Sequence, residues 1–74
     1  MERYIIDLAR EVRRAENERK NACLNGSIMM QVGASERLSI WRQAFAVVTK
    51  TAVGGIYFNG LLKNAYAIID ETKA

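Results

Sequence analysis

The residues that decide the fold are Thr51-Ala52-Val53-Gly54-Gly55-Ile56, which interrupt an otherwise helical C-terminal half. Two adjacent glycines cost about 2 kcal/mol in a helix interior relative to alanine, and glycine readily adopts the left-handed conformation that closes a helix. The pair Gly54-Gly55 therefore predicts a helical hairpin. One long helix kinked at the glycines is the alternative, and it would favour an extended dimer.

The segments on both sides of the glycines carry apolar residues at helical spacing. In residues 36–53 they cover about half of the helical circumference, which predicts a central helix that contacts two neighbours. In residues 56–72 they form one stripe, which predicts a helix with a single face in the core. The two sets are Leu38, Ile40, Trp41, Ala44, Phe45, Val47, Val48 and Ala52, and Tyr57, Phe58, Leu61, Leu62, Ala65, Ile68 and Ile69.

Residues 3–22 predict a third, strongly charged helix. From Glu2 to Ala22 there are six basic and five acidic residues, and many stand three or four positions from an opposite charge. Such pairs stabilise a helix by about 0.2–0.5 kcal/mol each, so we interpret these faces as solvated. Arg19 is the exception, because it falls on the apolar stripe, where it could meet a partner. The stripe consists of Tyr4, Ile5, Leu8, Val12 and Ala15.

Residues 23–34 are predicted to connect the first two helices. Asn25-Gly26 is a strong turn signal. The apolar run Ile28-Met29-Met30 is expected to pin the middle of this connection to the core. Met29 and Met30 are expected to fill the gap over the open end of the bundle, with adaptable contact to a partner as the alternative. Ser35 is the expected N-cap of the next helix, with Glu36 in its first turn. The prediction for residues 1–74 is one all-α domain, a small three-helix bundle that self-associates.

A local pattern resembles the turn of a helix-turn-helix motif. Residues 32–37 read Val-Gly-Ala-Ser-Glu-Arg, in which a glycine precedes a polar cap, as in that family. The resemblance implies a DNA-reading helix, whereas the competing interpretation is a simple helix cap. Leu38 and Trp41 follow the glycine one position earlier than the buried positions of that family.

Composition argues against several classes of function. The chain has no histidine and a single cysteine, Cys23, so the usual general base and a cysteine-rich zinc site are lacking. We therefore expect no enzymatic activity, no metal and no cofactor. The uncharged residues 51–62 number twelve, well short of the about 20 that span a membrane. The cysteine usage favours a cytoplasmic protein.

The basic charge of the second half is not matched by acids. The thirty-three residues between Glu36 and Asp70 contain no carboxylate. We predict an anion-binding role for the basic residues of this stretch, and a nucleic acid or a nucleotide phosphate would be the ligand. These residues are Arg37, Arg42, Lys50 and Lys63. The helical pattern also predicts one outward face without an acid, made of Ser39, Arg42, Gln43, Ala46, Thr49 and Lys50.

The favoured function is non-catalytic binding to a larger protein partner, by a protein that also forms a homodimer. Small size and broad apolar helix faces motivate this prediction, and the nucleic-acid or nucleotide-phosphate binder is the alternative. A chain this small is typical of accessory or inhibitory proteins of phages and mobile elements. This association rests on size alone. The candidate interface residues are Met29, Met30, Tyr66 and Arg19.

Overall fold

A computed structural model describes residues 1–72, and it consists of three α-helices joined by short turns. Helix α1 is Arg3–Asn25, α2 is Ile28–Thr49 and α3 is Ile56–Thr72. No strand occurs in this range. The prediction of an all-α three-helix bundle is confirmed.

The break at Gly54-Gly55 is confirmed, although α2 ends before the glycines. Lys50 adopts the left-handed conformation (φ 56°, ψ 44°), and its backbone N–H donates to the carbonyls of Ala46 and Val47. The side chain of Thr49 also donates to the carbonyl of Phe45 at 2.7 Å. Gly54 has a φ of 77° and turns the chain towards α3. Lys50, rather than a glycine, therefore closes α2.

The turn at Asn25-Gly26 is confirmed, but the predicted start of the next helix is wrong. Helix α2 begins at Ile28, where Ser27 acts as the N-cap by accepting a hydrogen bond from the Met30 N–H at 3.3 Å. Ser35 therefore caps nothing and lies within α2. Gly33, which suggested a break, costs about 1 kcal/mol in a helix, and the capped continuous helix tolerates that cost.

The longer α2 also corrects the helix-turn-helix interpretation. Residues 32–37 lie in the helix interior, so the turn that a helix-turn-helix motif requires does not exist there. The turn before α2 instead requires a glycine at Gly26, because a Cβ there would lie 2.8 Å from the carbonyl oxygen of Ala22.

The core is small and rich in alanine. Its largest fully buried side chains are Phe45, Phe58 and Val12. The two phenylalanine rings meet edge to face with centroids 5.5 Å apart, and they join α2 to α3. Six of the twelve buried apolar residues are alanines, which let the helix axes approach closely. The buried set is Ala9, Val12, Ala15, Ala22, Ala34, Leu38, Phe45, Ala46, Phe58, Leu62, Ala65 and Ile69.

The central helix is α1, not α2 as predicted. Both α2 and α3 pack along α1, whereas they approach each other more sparsely. Small residues on α1, such as Ala9 and Ala15, make room for a neighbour on each side. The predicted apolar arcs are accordingly wrong at several positions, which are exposed. These are Tyr4, Ile40, Val47, Val48, Ala52 and Tyr57.

The last turn of α3 is attached halfway along α1. The Arg13 guanidinium donates to both carboxylate oxygens of Asp70, at 2.7 and 3.1 Å. This contact ties the acidic end of α3 to a basic residue of α1. Helix α1 continues for twelve residues beyond Arg13, about 18 Å at 1.5 Å per residue. The α1–α2 hairpin therefore projects beyond the level of Asp70.

Candidate functional site: an apolar tip on the helical hairpin

The projecting end of the hairpin carries a cluster of exposed apolar side chains. Leu24 is 71% exposed, Ile28 78% and Met29 85%. Met30 and Val32 are also exposed, so five large apolar side chains lie within nine residues. We call these five residues the hairpin tip. Their clustering is notable because isolated exposed apolar residues are normal, whereas a contiguous patch marks an interaction surface.

One side of the hairpin tip borders a groove of about 590 Å³ between the end of α1 and the start of α2. Met29 and Met30 line it together with the buried residues Ala22 and Ala34. At its edge Arg37 Nε donates to Glu18 Oε2 at 3.1 Å, and both side chains are exposed. An apolar floor with a charged edge is the usual anatomy of a protein interface.

The other side of the hairpin borders a second groove, of about 490 Å³. Ile28 and Val32 of the hairpin tip line it, together with Cys23 and Arg19. Cys23 is a free, exposed cysteine. The hairpin tip therefore presents apolar surface on both faces of the helix pair.

Met29 and Met30 do not fill the end of the bundle, so that expectation is wrong. The end stays open because α3 is attached lower on α1, at Arg13, and does not reach these side chains. Their role as interface residues stays a prediction. Arg19, the third candidate, is exposed at the edge of the second groove and makes no ion pair within residues 1–72.

Tyr66, the fourth interface candidate, lies away from the hairpin tip. Its ring is stacked under Arg13, with the guanidinium carbon 4.7 Å from the ring centroid. The hydroxyl oxygen is buried without a hydrogen-bond partner. Burial and, secondarily, the nearby Glu16 carboxylate raise the pKa of Tyr66 well above its ordinary value. Tyr66 is thus a neutral side chain of the α1–α3 contact.

The sequence interpretation missed the role of Arg13, which it treated as part of a solvated face. Together with Tyr66 and Asp70, Arg13 holds α3 against α1. The hydrogen bond to the Asp70 carboxylate raises the pKa of Arg13 above its usual value. No local signal identifies this role, because Asp70 is 57 positions away along the chain.

The sequence interpretation also missed Leu24, Ile28 and Val32 as surface residues. Ser27 was the signal that could have identified two of them. An N-cap at Ser27 starts α2 at Ile28, which places Ile28 and Val32 in a helical end that no other helix covers.

The four basic candidates do not share one groove: Arg37 lines the groove beside the hairpin tip, Arg42 lines a separate depression, and Lys50 and Lys63 line neither. Arg37 pairs with Glu18, and it stands five positions from Arg42, about 140° around the helix axis. Lys50 lies at the C-cap of α2, and Lys63 is exposed on α3. Ala46, which the helical pattern placed on the outward face, is buried.

No family model, curated protein or solved structure matches the chain. In the part of the chain that is described, no helix is long and apolar enough to cross a membrane. Within the same residues, no three histidine, cysteine or acidic side chains gather where they could hold a metal ion. A proposal for the function therefore rests on the exposed side chains and grooves of the structure.

Proposed function

We propose that this protein is a non-catalytic helical binding protein that docks on a larger protein through its hairpin tip. The observation that carries the proposal is the cluster of five exposed apolar side chains beside an apolar-floored groove. The partner would offer an apolar cleft that receives the end of the hairpin. The two methionines suit this use, because their unbranched side chains adapt to the shape of a partner.

Burial of the hairpin tip against a partner is the driving force that we propose for docking. Complete burial of one large apolar side chain contributes about 1.5–3 kcal/mol, and the charged edge of the groove would add specificity.

A second copy of the chain is the other occupant that we propose for this surface. Glu18 and Arg37, at the edge of the groove, provide both signs of charge, which a two-fold arrangement of hairpin tips could pair across the axis. Sedimentation at micromolar concentration measures this directly. A dimer that a change at the hairpin tip abolishes would support it, and a clean monomer would contradict it.

Cytoplasmic localisation is part of the proposal, because a free, exposed thiol such as Cys23 suits a reducing compartment. The small size fits an accessory or inhibitory protein. A nucleic-acid role gains no support from the placement of Arg37, Arg42, Lys50 and Lys63 on separate surfaces.

The test of the proposed function is a comparison of captured partners. The bait would be the wild type, a tip variant with Ile28→Gln and Met29→Gln, and a control with Ile56→Gln and Tyr57→Gln. The control removes equally exposed apolar groups at the opposite end of the molecule. A protein retained by the wild type and the control but lost from the tip variant is expected. Retention by the tip variant, or loss from the control alone, would contradict the proposal.

A further inference from the structure

A second feature of the surface combines two arginines from different helices. Arg19 of α1 and Arg42 of α2 line one depression of about 310 Å³, together with Ser35, Ser39 and Gln43. We call it the two-arginine pocket. It shares Arg19, Ser35 and Ser39 with the second groove beside the hairpin tip, whereas Arg42 and Gln43 line this pocket and not that groove.

Neither arginine of this pocket forms an ion pair within residues 1–72, whereas Arg13 and Arg37 each form one. No carboxylate of the described residues lines the pocket itself. Glu16 and Glu36 line neighbouring depressions that share Arg19. Two arginines that line one depression without an ion pair favour an anionic ligand.

Arg42 is held in place before any ligand binds. Its guanidinium carbon lies 5.4 Å from the centroid of the buried Phe58 ring. Its Nε is buried without a hydrogen-bond partner, so a ligand in the pocket would be bound by the terminal guanidinium nitrogens. A guanidinium fixed over an aromatic ring loses little conformational entropy when it binds an oxyanion.

Neutral donors complete the pocket. Gln43 Nε2 donates to Ser39 Oγ at 3.2 Å, which leaves the hydroxyl proton of Ser39 available for a ligand. Ser35 lies one helical turn before Ser39 and lines the same depression. Two guanidinium groups with hydroxyl donors between them match the oxygen atoms of a phosphate group.

We infer that the two-arginine pocket binds the phosphate group of a small ligand, either free phosphate or a phosphomonoester. Its volume is at the lower end of the about 300–1,000 Å³ that is typical of small-molecule sites, so it suits one small ligand rather than a polymer. Phosphate binding goes beyond the proposed docking function, although the pocket and the second groove of the hairpin tip share Arg19, Ser35 and Ser39. A phosphate titration needs no protein partner, so it tests this inference on its own.

The experiment is a titration of the full chain with inorganic phosphate and, separately, with phenyl phosphate, followed by ¹⁵N-detected chemical shifts. Saturable shifts at Ser35, Ser39 and the Arg42 side chain are expected. Tighter binding of inorganic phosphate identifies free phosphate as the ligand, and tighter binding of phenyl phosphate identifies a monoester. Absence of saturable shifts with both probes overturns the inference, as does binding of a DNA duplex alone.

Variants distinguish the pocket from a diffuse positive field. Arg19→Gln and Arg42→Gln should each weaken phosphate binding about 10- to 100-fold, because each removes charge-assisted hydrogen bonds. Lys63→Gln removes the same charge outside the pocket and should change affinity by less than about twofold. Because Arg42 is half-buried, circular dichroism should confirm that the Arg42→Gln variant still folds. Arg19 is exposed, so Arg19→Gln gives an independent result. Equal weakening by Lys63→Gln would overturn the inference.

Discussion

The two ends of the α1–α2 hairpin differ in what holds them together. Near the Gly54-Gly55 turn, the helices enclose the edge-to-face rings of Phe45 and Phe58. At the projecting end, Ala22 and Ala34 are the buried residues, and the large apolar side chains point to solvent. The end near Gly54-Gly55 also exposes large apolar side chains, among them Val47, Ile56 and Tyr57, so the two ends differ in their buried packing and not in apolar exposure. A region with little packing to maintain is free to present side chains to a partner.

The largest effect is expected at the aromatic end. Phe45→Ala should reduce the free energy of unfolding by about 3–5 kcal/mol, because it leaves a cavity opposite Phe58. Urea denaturation followed by circular dichroism measures this loss. The exposed Tyr57→Ala is the matched control and should change stability by less than about 0.5 kcal/mol. A loss below about 1 kcal/mol for Phe45→Ala would show that the rings are not the main packing contact.

An intermediate effect is expected where α3 is attached to α1. Arg13→Gln removes the paired hydrogen bonds to Asp70 and the stacking on Tyr66, so the free energy of unfolding should fall by about 1–2 kcal/mol. Arg10→Gln is the control, since its contact with Asp7 is 3.8 Å long and exposed. Equal losses in the two variants would show that the Arg13 contacts carry no special weight.

A smaller effect, of opposite sign, is expected at Tyr66. Tyr66→Phe removes a buried hydroxyl whose contact with the Glu16 carboxylate falls short of a full hydrogen bond, so it should stabilise the fold by less than about 1 kcal/mol. Folding raises the pKa of Tyr66, so the folded state disfavours the phenolate. The stability of the wild type should therefore fall as the pH rises above about 10, the unfolded value. Urea denaturation at pH 8 and pH 11 should show a smaller loss for Tyr66→Phe. An equal loss would contradict the assignment.

The sequence was sufficient for the helices and turns that depend on local chemistry. Gly54-Gly55 and Asn25-Gly26 predicted two breaks correctly, because the cost of glycine in a helix is a local property. The start of α2 was misplaced because Ser27 and Ser35 are both good N-caps, and Gly33 made the wrong one attractive. Which of these two serines caps α2 depends on how the helices pack in the folded chain, and local sequence does not contain that information.

The candidate surfaces were less accessible to sequence reasoning. The run Ile28-Met29-Met30 has the same pattern in a core as at an interface, and only the attachment of α3 at Arg13 leaves it exposed. The two-arginine pocket likewise joins Arg19 and Arg42 across two helices. The lack of acidic residues around Arg42 had marked it as an anion-binding candidate. That Arg19 lines the same pocket depends on how α1 packs on α2.

The most direct test of the contrast between the two ends is the free energy of unfolding of the tip variant with Ile28→Gln and Met29→Gln. Urea denaturation, at a protein concentration where the chain is monomeric, would compare it with the wild type. The expected change is less than about 0.5 kcal/mol, because both side chains are already exposed to water. A loss in the free energy of unfolding above about 2 kcal/mol would contradict the account, because it would show that Ile28 and Met29 pack within the fold and are not free to contact a partner.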